Sequence, residues 1–265
     1  MKNTLSQADI TRLAKQVEAA QINAELITKL TEEFPEMTMA DGYSIQLALR
    51  QRRLAREGVR SVGWKAGLTS KAKMLQMGVY EPSVGFLTSD MARPENSEIR
   101  TDTLCHPRVE CEVAFVLKQA LEGPDLSIDD VLAATGFVLP AVEIIDSRYA
   151  NFKFDLPSVL ADNSSSALFV AGGRARRPSD IDLRTLGVVL EKNGEIMGMG
   201  ASAAVLGHPA AAVARVVKIL HSLGESLPEG SFVMSGAITE AIPVVAGDHV
   251  SARFQELGSV SMRFV

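Results

Sequence analysis

The 265-residue sequence predicts an α+β fold, a mixed and curled β-sheet preceded by a helical N-terminal region. Three observations predict it. Residues 1–57 place apolar side chains at helical spacing; residues 58–265 turn to short β-rich runs broken by Gly, Pro and Asn; and those runs follow neither a βαβ alternation nor a repeat. A boundary at residue 57 is expected to divide a helical N-terminal region from a β-rich domain spanning 58–265.

From Ser6 to Leu30, Ile10, Leu13, Val17, Ile22, Leu26, Ile27 and Leu30 recur with charged residues between them, which predicts a first helix. Thr38 followed by Asp41 is a capping signal that opens a second amphipathic stretch over 43–56, stopped by Gly58. Strands are predicted at 59–66, 109–117, 136–145, 167–171, 187–192, 195–200, 231–234, 249–254 and 260–265. Asn193-Gly194 joins two of them by a type I′ turn, since both central residues need positive φ. Ser127 with Asp130 caps a short helix over 128–135, and Pro209 opens a helix that Gly224 terminates.

Composition narrows the function. The chain is 46% hydrophobic, long enough to bury about 70 to 75% of its unfolded surface. Its 27 basic and 32 acidic residues give a net charge of −5, which argues against a nucleic-acid partner. The only basic cluster, Arg174, Arg176 and Arg177, reads as a solvated loop. Cys105 and Cys111 make no disulfide framework and read as buried thiols of a reducing compartment. No run approaches the roughly 18 apolar residues that cross a bilayer, and the first residues lack a signal-peptide core, so a cytoplasmic protein without a membrane partner is expected.

The segment most telling for chemistry is HPRVECEVAFVL, residues 106–117. As a strand it sends Val109, Cys111, Val113, Phe115 and Leu117 to one face, and Glu110, Glu112, Ala114 and Val116 to the other. Two adjacent carboxylates in an apolar setting repel and resist desolvation, so a positive charge between them is called for. A divalent cation supplies it, and oxygen donors suit Mg²⁺ or Mn²⁺. The competing reading is an edge strand with a solvated acidic face. Glu143 tilts the balance: it sits in FVLPAVEII, so apolar that both strand faces should be covered, and a glutamate is almost never buried unpaired. Together Glu110, Glu112 and Glu143 make an all-oxygen site. Lys65, between Gly63 and Gly67 at a strand end, is a proton-transfer candidate or an ordinary turn lysine. Asp162-Asn163-Ser164-Ser165-Ser166 offers hydrogen-bonding groups or simply a turn. His106, His208, His221 and His249 share no metal-ligand spacing, His208 flanking the Pro209 helix start. There is no nucleophile elbow, Walker loop, dinucleotide fingerprint or zinc motif.

The E-x-E pair of HPRVECEVAFVL, the later Glu of VLPAVEIIDSR, and the C-terminal Ser235-Gly236, Gly247-Asp248 and Gly258 resemble the fumarylacetoacetate hydrolase superfamily. FPEMTMADGYSIQ, GLTSKAKMLQMGV, DSRYANFKFD, ADNSSS and LRTLGVVLEKNGE resemble its hydratase and decarboxylase branch from end to end, with GWKAGLTS and DSRYANFKFD more like the decarboxylases. The resemblance implies a mixed β-barrel-like catalytic domain, with Glu110, Glu112 and Glu143 holding Mg²⁺ or Mn²⁺ and no organic cofactor. It implies decarboxylation of a 2-oxo dicarboxylate from a meta-cleavage pathway of aromatic breakdown, with hydration of 2-hydroxypenta-2,4-dienoate as the runner-up and a non-catalytic partner subunit as a third reading. Hydrolytic members carry a lysine where this chain reads Ala161-Asp162-Asn163, which turns attention to Lys65 as the catalytic proton donor. Leu68, Ser70, Arg148, Asp162, Ser164, Ser165 and Ser235 are then the expected substrate-binding residues, Arg148 being equally a structural partner of Asp146. A homo-oligomer and a complex with the pathway hydratase are the implied partners.

Overall fold

The computed structural model describes residues 3–70, 74–75 and 81–265. Two helices, α1 (Gln7–Asn23) and α2 (Met39–Leu54), precede a first strand that begins at Ser61. The strands are β1 (Ser61–Gly67), β2 (Ser83–Thr88), β3 (Ala92–Arg93), β4 (Glu98–Ile99), β5 (Arg108–Leu117), β6 (Thr135–Ile145), β7 (Ser166–Ala171), β8 (Gly187–Lys192), β9 (Glu195–Ala201), β10 (Phe232–Met234), β11 (Ile242–Pro243), β12 (His249–Phe254) and β13 (Gly258–Phe264). Helices α3 (Ile128–Ala134), α4 (Leu156–Ala161) and α5 (Pro209–Ser222) lie between them.

The strands form two sheets. One runs β2-β1-β10-β5-β6-β7-β3, with β11 also against β5; the other runs β4-β13-β12-β8-β9. In the first, β1 and β10 are parallel while β10–β5, β5–β6 and β6–β7 are antiparallel, the mixed pattern expected. Strand β5 is central, with β6 paired along nearly its whole length. One contiguous core joins Leu13 and Val17 of α1 and Leu49 of α2 to Trp64, Phe86, Phe115, Val142 and Phe264 of the sheets. The N-terminal helices therefore fold onto the sheet rather than apart from it. Gln46 on α2 seals the junction, its Nε2 donating to the Val84 and Leu160 carbonyls at 2.9 Å each.

Local signals in the sequence account for most element ends. Ser6 caps α1, Thr38 and Asp41 form a reciprocal capping box at α2, and Ser127 with Asp130 does the same at α3. His208 caps α5, its Nδ1 accepting the Ala210 N–H, and Asn193 and Gly194 take φ of 55° and 85° in the β8–β9 turn. Several features differ from expectation, among them helix α4 and the short strands β3, β4 and β11, which have no counterpart in the predicted elements. Helix α1 stops seven residues short of Leu30, because Ala24 turns left-handed at φ 51° and Ile27 leaves to bridge Tyr149. Strand β2 was not anticipated: SVGFLT is buried on both faces and shows no alternation to read. One stretch, Ser202–Ser222, is long and apolar enough to cross a membrane by length and composition, although the sequence suggested none. Its helix α5 instead buries Ala212, Val213, Val216, Val217 and Leu220 against the first sheet and α3, as a core helix does.

Asp41 ties the N-terminal strap down. Its carboxylate accepts from the Thr4, Leu5 and Thr38 N–H groups at 2.9, 3.0 and 2.8 Å, and from the Thr4 and Thr38 hydroxyls. Burial pushes its pKa up, but these hydrogen bonds outweigh burial and hold it down at about 2. A depressed acid stabilises the fold above its unfolded value near 4 and loses that contribution as pH falls through the folded value. Asp41→Asn should therefore cost about 2 kcal/mol at pH 7, and the difference from wild type should close between about pH 4 and 2 in urea unfolding curves.

Candidate metal centre

The register of β5 and β6 builds the site. Glu110 stands directly opposite Glu143, and Glu112 lies opposite Ala141, whose small side chain leaves space beside it. Opposed residues of an antiparallel pair bring their Cβ atoms to about 5 Å, where like charges destabilise the sheet. One carboxylate oxygen from each of the three glutamates lies within 4.8 Å of the others. Glu112 and Glu143 are fully buried and Glu110 is 7% exposed. A solvated acidic edge is thereby excluded, because β5 is flanked by β10 and β6.

Lys65 reaches the cluster from two strands away. It aligns with Met234 of β10, which aligns with Ala114 of β5. Its Nζ sits 3.2 Å from Glu143 and donates to the Ser164 carbonyl at 2.8 Å. The turn lysine considered from sequence is instead a buried one. Ser166 donates to Glu143 at 2.7 Å, and the Gly236 N–H donates to Glu112 Oε2 at 2.7 Å. Gly236 holds φ 103°, and a Cβ there would fall 2.3 Å from Thr69 Oγ1, so only glycine brings that N–H to the carboxylate.

These partners leave Glu112 unbalanced. Burial, then the charges of Glu143 and Glu110, drives the Glu112 carboxyl well above its ordinary value. Burial also raises Glu143, against the pull of Lys65. Glu112 Oε1 is buried without a hydrogen-bond partner among the described residues. Among the described residues, the Lys65 ammonium stands within ion-pair distance of Glu143 while Glu112 keeps an unpartnered oxygen, and a divalent cation between the carboxylates satisfies both the repulsion and that open lone pair. The all-oxygen donor set fits Mg²⁺ or Mn²⁺, whereas Zn²⁺ sites favour nitrogen and sulfur. Among the described residues this is the one group of three or more His, Cys, Asp or Glu side chains able to hold a metal.

The other expected residues divide. Leu68, at φ 56°, and Ser70 lie on the segment leaving β1 beyond Lys65. Ser235 and Ser165 are buried, each with a hydroxyl lacking a hydrogen-bond partner among the described residues. Ser164 turns its hydroxyl to the Val84 carbonyl at 3.0 Å and serves the site through its own carbonyl on Lys65. Arg148 and Asp162, expected as substrate ligands, are bonded to each other. Arg148 Nε donates to Asp162 Oδ1 at 2.6 Å, Nη2 to the Asp162 carbonyl at 2.8 Å, and Nη1 to the Asp146 carbonyl. The guanidinium is thus engaged within the protein by Asp162, while the Asp146 carboxylate accepts from the Cys105 and His106 N–H groups. Burial, against the pull of Arg148, brings Asp162 up to about 6. Ser166 and Gly236 were not singled out as ligands, although both lie inside motifs the sequence displayed.

The family model for the fumarylacetoacetate (FAA) hydrolase C-terminal domain matches residues 65–265. The chain is 51% identical to the 4-oxalocrotonate decarboxylase of Pseudomonas sp. (strain CF600) over 265 residues, all of both chains. It is 37% identical over 244 residues to the 2-hydroxyhexa-2,4-dienoate hydratase of Comamonas testosteroni, covering 91% of this chain and 92% of that one. Among solved structures, the 4-oxalocrotonate decarboxylase from Pseudomonas putida G7, complexed with magnesium and adipate, superposes with a TM-score of 0.98 at 49% identity over all of both chains.

The charge imbalance sets two opposite responses. Glu112→Gln relieves repulsion in the metal-free protein and removes a ligand. Its melting temperature in EDTA should rise, by roughly 2 to 4 °C per kcal/mol relieved, while the increase that Mg²⁺ gives the wild type should be lost. Calorimetric melts with and without Mg²⁺ check both signs.

Proposed function

The chain belongs to the fumarylacetoacetate hydrolase family, and we propose that it decarboxylates (3E)-2-oxohex-3-enedioate to 2-hydroxypenta-2,4-dienoate and CO₂. The observation that carries this reading is the convergence of Glu110, Glu112 and Glu143 with Lys65 in one buried site. The full-length identity to decarboxylases supports the choice of reaction.

Glu110, Glu112 and Glu143 would hold Mg²⁺ or Mn²⁺. When bound, the ion supplies Lewis acidity and a template for the C1 carboxylate and the 2-oxo oxygen. The bond between C5 and C6 breaks, CO₂ leaves, and its electron pair runs through C4 and C3 to the 2-oxo oxygen. The substrate's own carbonyl is therefore the electron sink, and no organic cofactor is required. Lys65, within 3.2 Å of Glu143, delivers a proton or a hydrogen bond to that oxygen as charge develops there. The Ser164 carbonyl keeps the ammonium in place. Leu68, Ser70, Ser165 and Ser235 border the substrate, the two unpartnered hydroxyls facing a polar ligand at low cost. A cytoplasmic homo-oligomer that hands its dienoate product to a hydratase of the same branch completes the reading.

With Mg²⁺, 2-oxohex-3-enedioate should disappear with one CO₂ released per substrate, and 2-hydroxypenta-2,4-dienoate should accumulate until a hydratase is added. Conversion of the dienoate to 4-hydroxy-2-oxopentanoate by this chain alone, with no CO₂ from the diacid, would assign it to the hydratases instead. Lys65→Met should lower kcat by about 100-fold or more. A raised KM with unchanged kcat would make Lys65 a binding residue only.

A further inference from the structure

On β5 the residue two places before Glu110 is Arg108, and strand alternation sets it on the face that carries Glu110 and Glu112. At about 3.3 Å per residue, Arg108 stands roughly 6.6 Å along the strand from Glu110. An extended six-carbon diacid separates its two carboxyl carbons by five bonds of about 1.5 Å each, a span of roughly 6 Å. A diacid anchored at one end beside the glutamates thus spans about the distance to the Arg108 position on the strand.

The surroundings of Arg108 suit that task. Its guanidinium carbon lies 4.3 Å from the centroid of the Phe152 ring, and that ring packs on His106 at 4.5 Å. Asn151 and Phe152 take φ of 58° and 56°, a tight left-handed turn that presents the ring to Arg108. Stacking covers one face of the guanidinium plane and leaves its N–H fork open at the edge. Arg108 is half-buried, and among the described residues no carboxylate stands in ion-pair contact with it, in contrast to Arg148 on Asp162. A half-buried cation in this position lacks the anion that its burial calls for.

We propose that Arg108 holds the distal carboxylate of the substrate and sets the preference for diacids over monoacids. The proposal rests on the reading that the substrate is a 2-oxo dicarboxylate, and it gives Arg108 the role expected of Arg148 from sequence. A planar fork on a stacked platform accepts a carboxylate through two parallel N–H bonds, which a lysine cannot reproduce.

The test uses two six-carbon 2-oxo acids that differ only in the distal group, 2-oxoadipate and 2-oxohexanoate, titrated into the Mg²⁺-loaded protein. Wild type should bind 2-oxoadipate more tightly. Arg108→Met should weaken 2-oxoadipate by roughly 10- to 100-fold, the worth of a hydrogen-bonded charge pair, and leave 2-oxohexanoate unchanged. Arg108→Lys should recover part of the loss, and Arg108→Gln gives the same reading should the Met variant fail to fold. Equal weakening of both acids, or of neither, overturns the proposal, as does a wild type that binds the two alike. Because binding is read without turnover, a protein that prefers 2-oxoadipate through Arg108 yet releases no CO₂ would overturn the decarboxylase reading alone.

Discussion

Three carboxylates held within 4.8 Å of one another in the middle of a sheet are the constraint around which the site is organised. Glu110 and Glu143 face each other across the β5–β6 ladder, and Glu143 is paired on its other side with Phe169 of β7, so the backbone that carries them cannot separate without breaking ladder hydrogen bonds. In an edge strand the same residues would turn to water and their repulsion would fade. Central placement denies them that escape. Among the described residues, the hydrogen-bond partners of Glu112 and Glu143 are donors or a cation: the Lys65 ammonium, the Ser166 hydroxyl and the Gly236 N–H. These partners satisfy part of the charge, and the remainder makes the site one that a divalent ion completes.

The cost of that arrangement extends into the backbone. Asn163, Ser164 and Ser165 all take left-handed conformations, with φ of 52°, 51° and 60°, a sequence of three that L residues adopt only under constraint. Asn163 supplies the constraint, its side chain accepting from the Phe86 N–H at 2.8 Å and donating to the Phe86 carbonyl at 3.0 Å. The turn so pinned aims the Ser164 carbonyl at Lys65. Gly85, aligned with Lys65 on β2, lets the lysine and the turn meet: a Cβ there would lie 3.1 Å from Lys65 Cε and 2.8 Å from the Asn163 carbonyl. The strained segment, the glycine and the asparagine thus act together to place one ammonium beside Glu143.

Features written in short-range pattern were legible in the sequence. The capping pairs Thr38–Asp41 and Ser127–Asp130, the Asn193-Gly194 turn, and the alternation that puts Glu110 and Glu112 on one face each depend on residues a few positions apart. Glu143 stood out because its apolar run offered it no local partner. What sequence could not supply was pairing across the fold. Nothing near Lys65 in the chain points to Glu143, and nothing near Arg148 prefers Asp162 to the nearer Asp146. Strand order alone brings the first pair together, and the α4 turn brings Asp162 back to Arg148. Strand β2 escaped notice for a related reason, since burial on both faces erases the alternation by which a strand is read.

The two ends of the site answer to different physics. At the glutamate end, geometry is dictated by ladder register: moving Glu110 or Glu143 by one residue would turn the side chain to the opposite face, so this end tolerates little variation. Beyond Arg108 the strand ends, and the 150–153 turn that carries Phe152 is joined to the sheet by side-chain stacking rather than by a ladder. A loop of this kind can change length and ring type without disturbing the carboxylate cluster. A metal frame set by register beside a distal wall set by a loop is therefore an arrangement in which related enzymes can keep one way of activating a 2-oxo acid while differing in what they recognise at its far end.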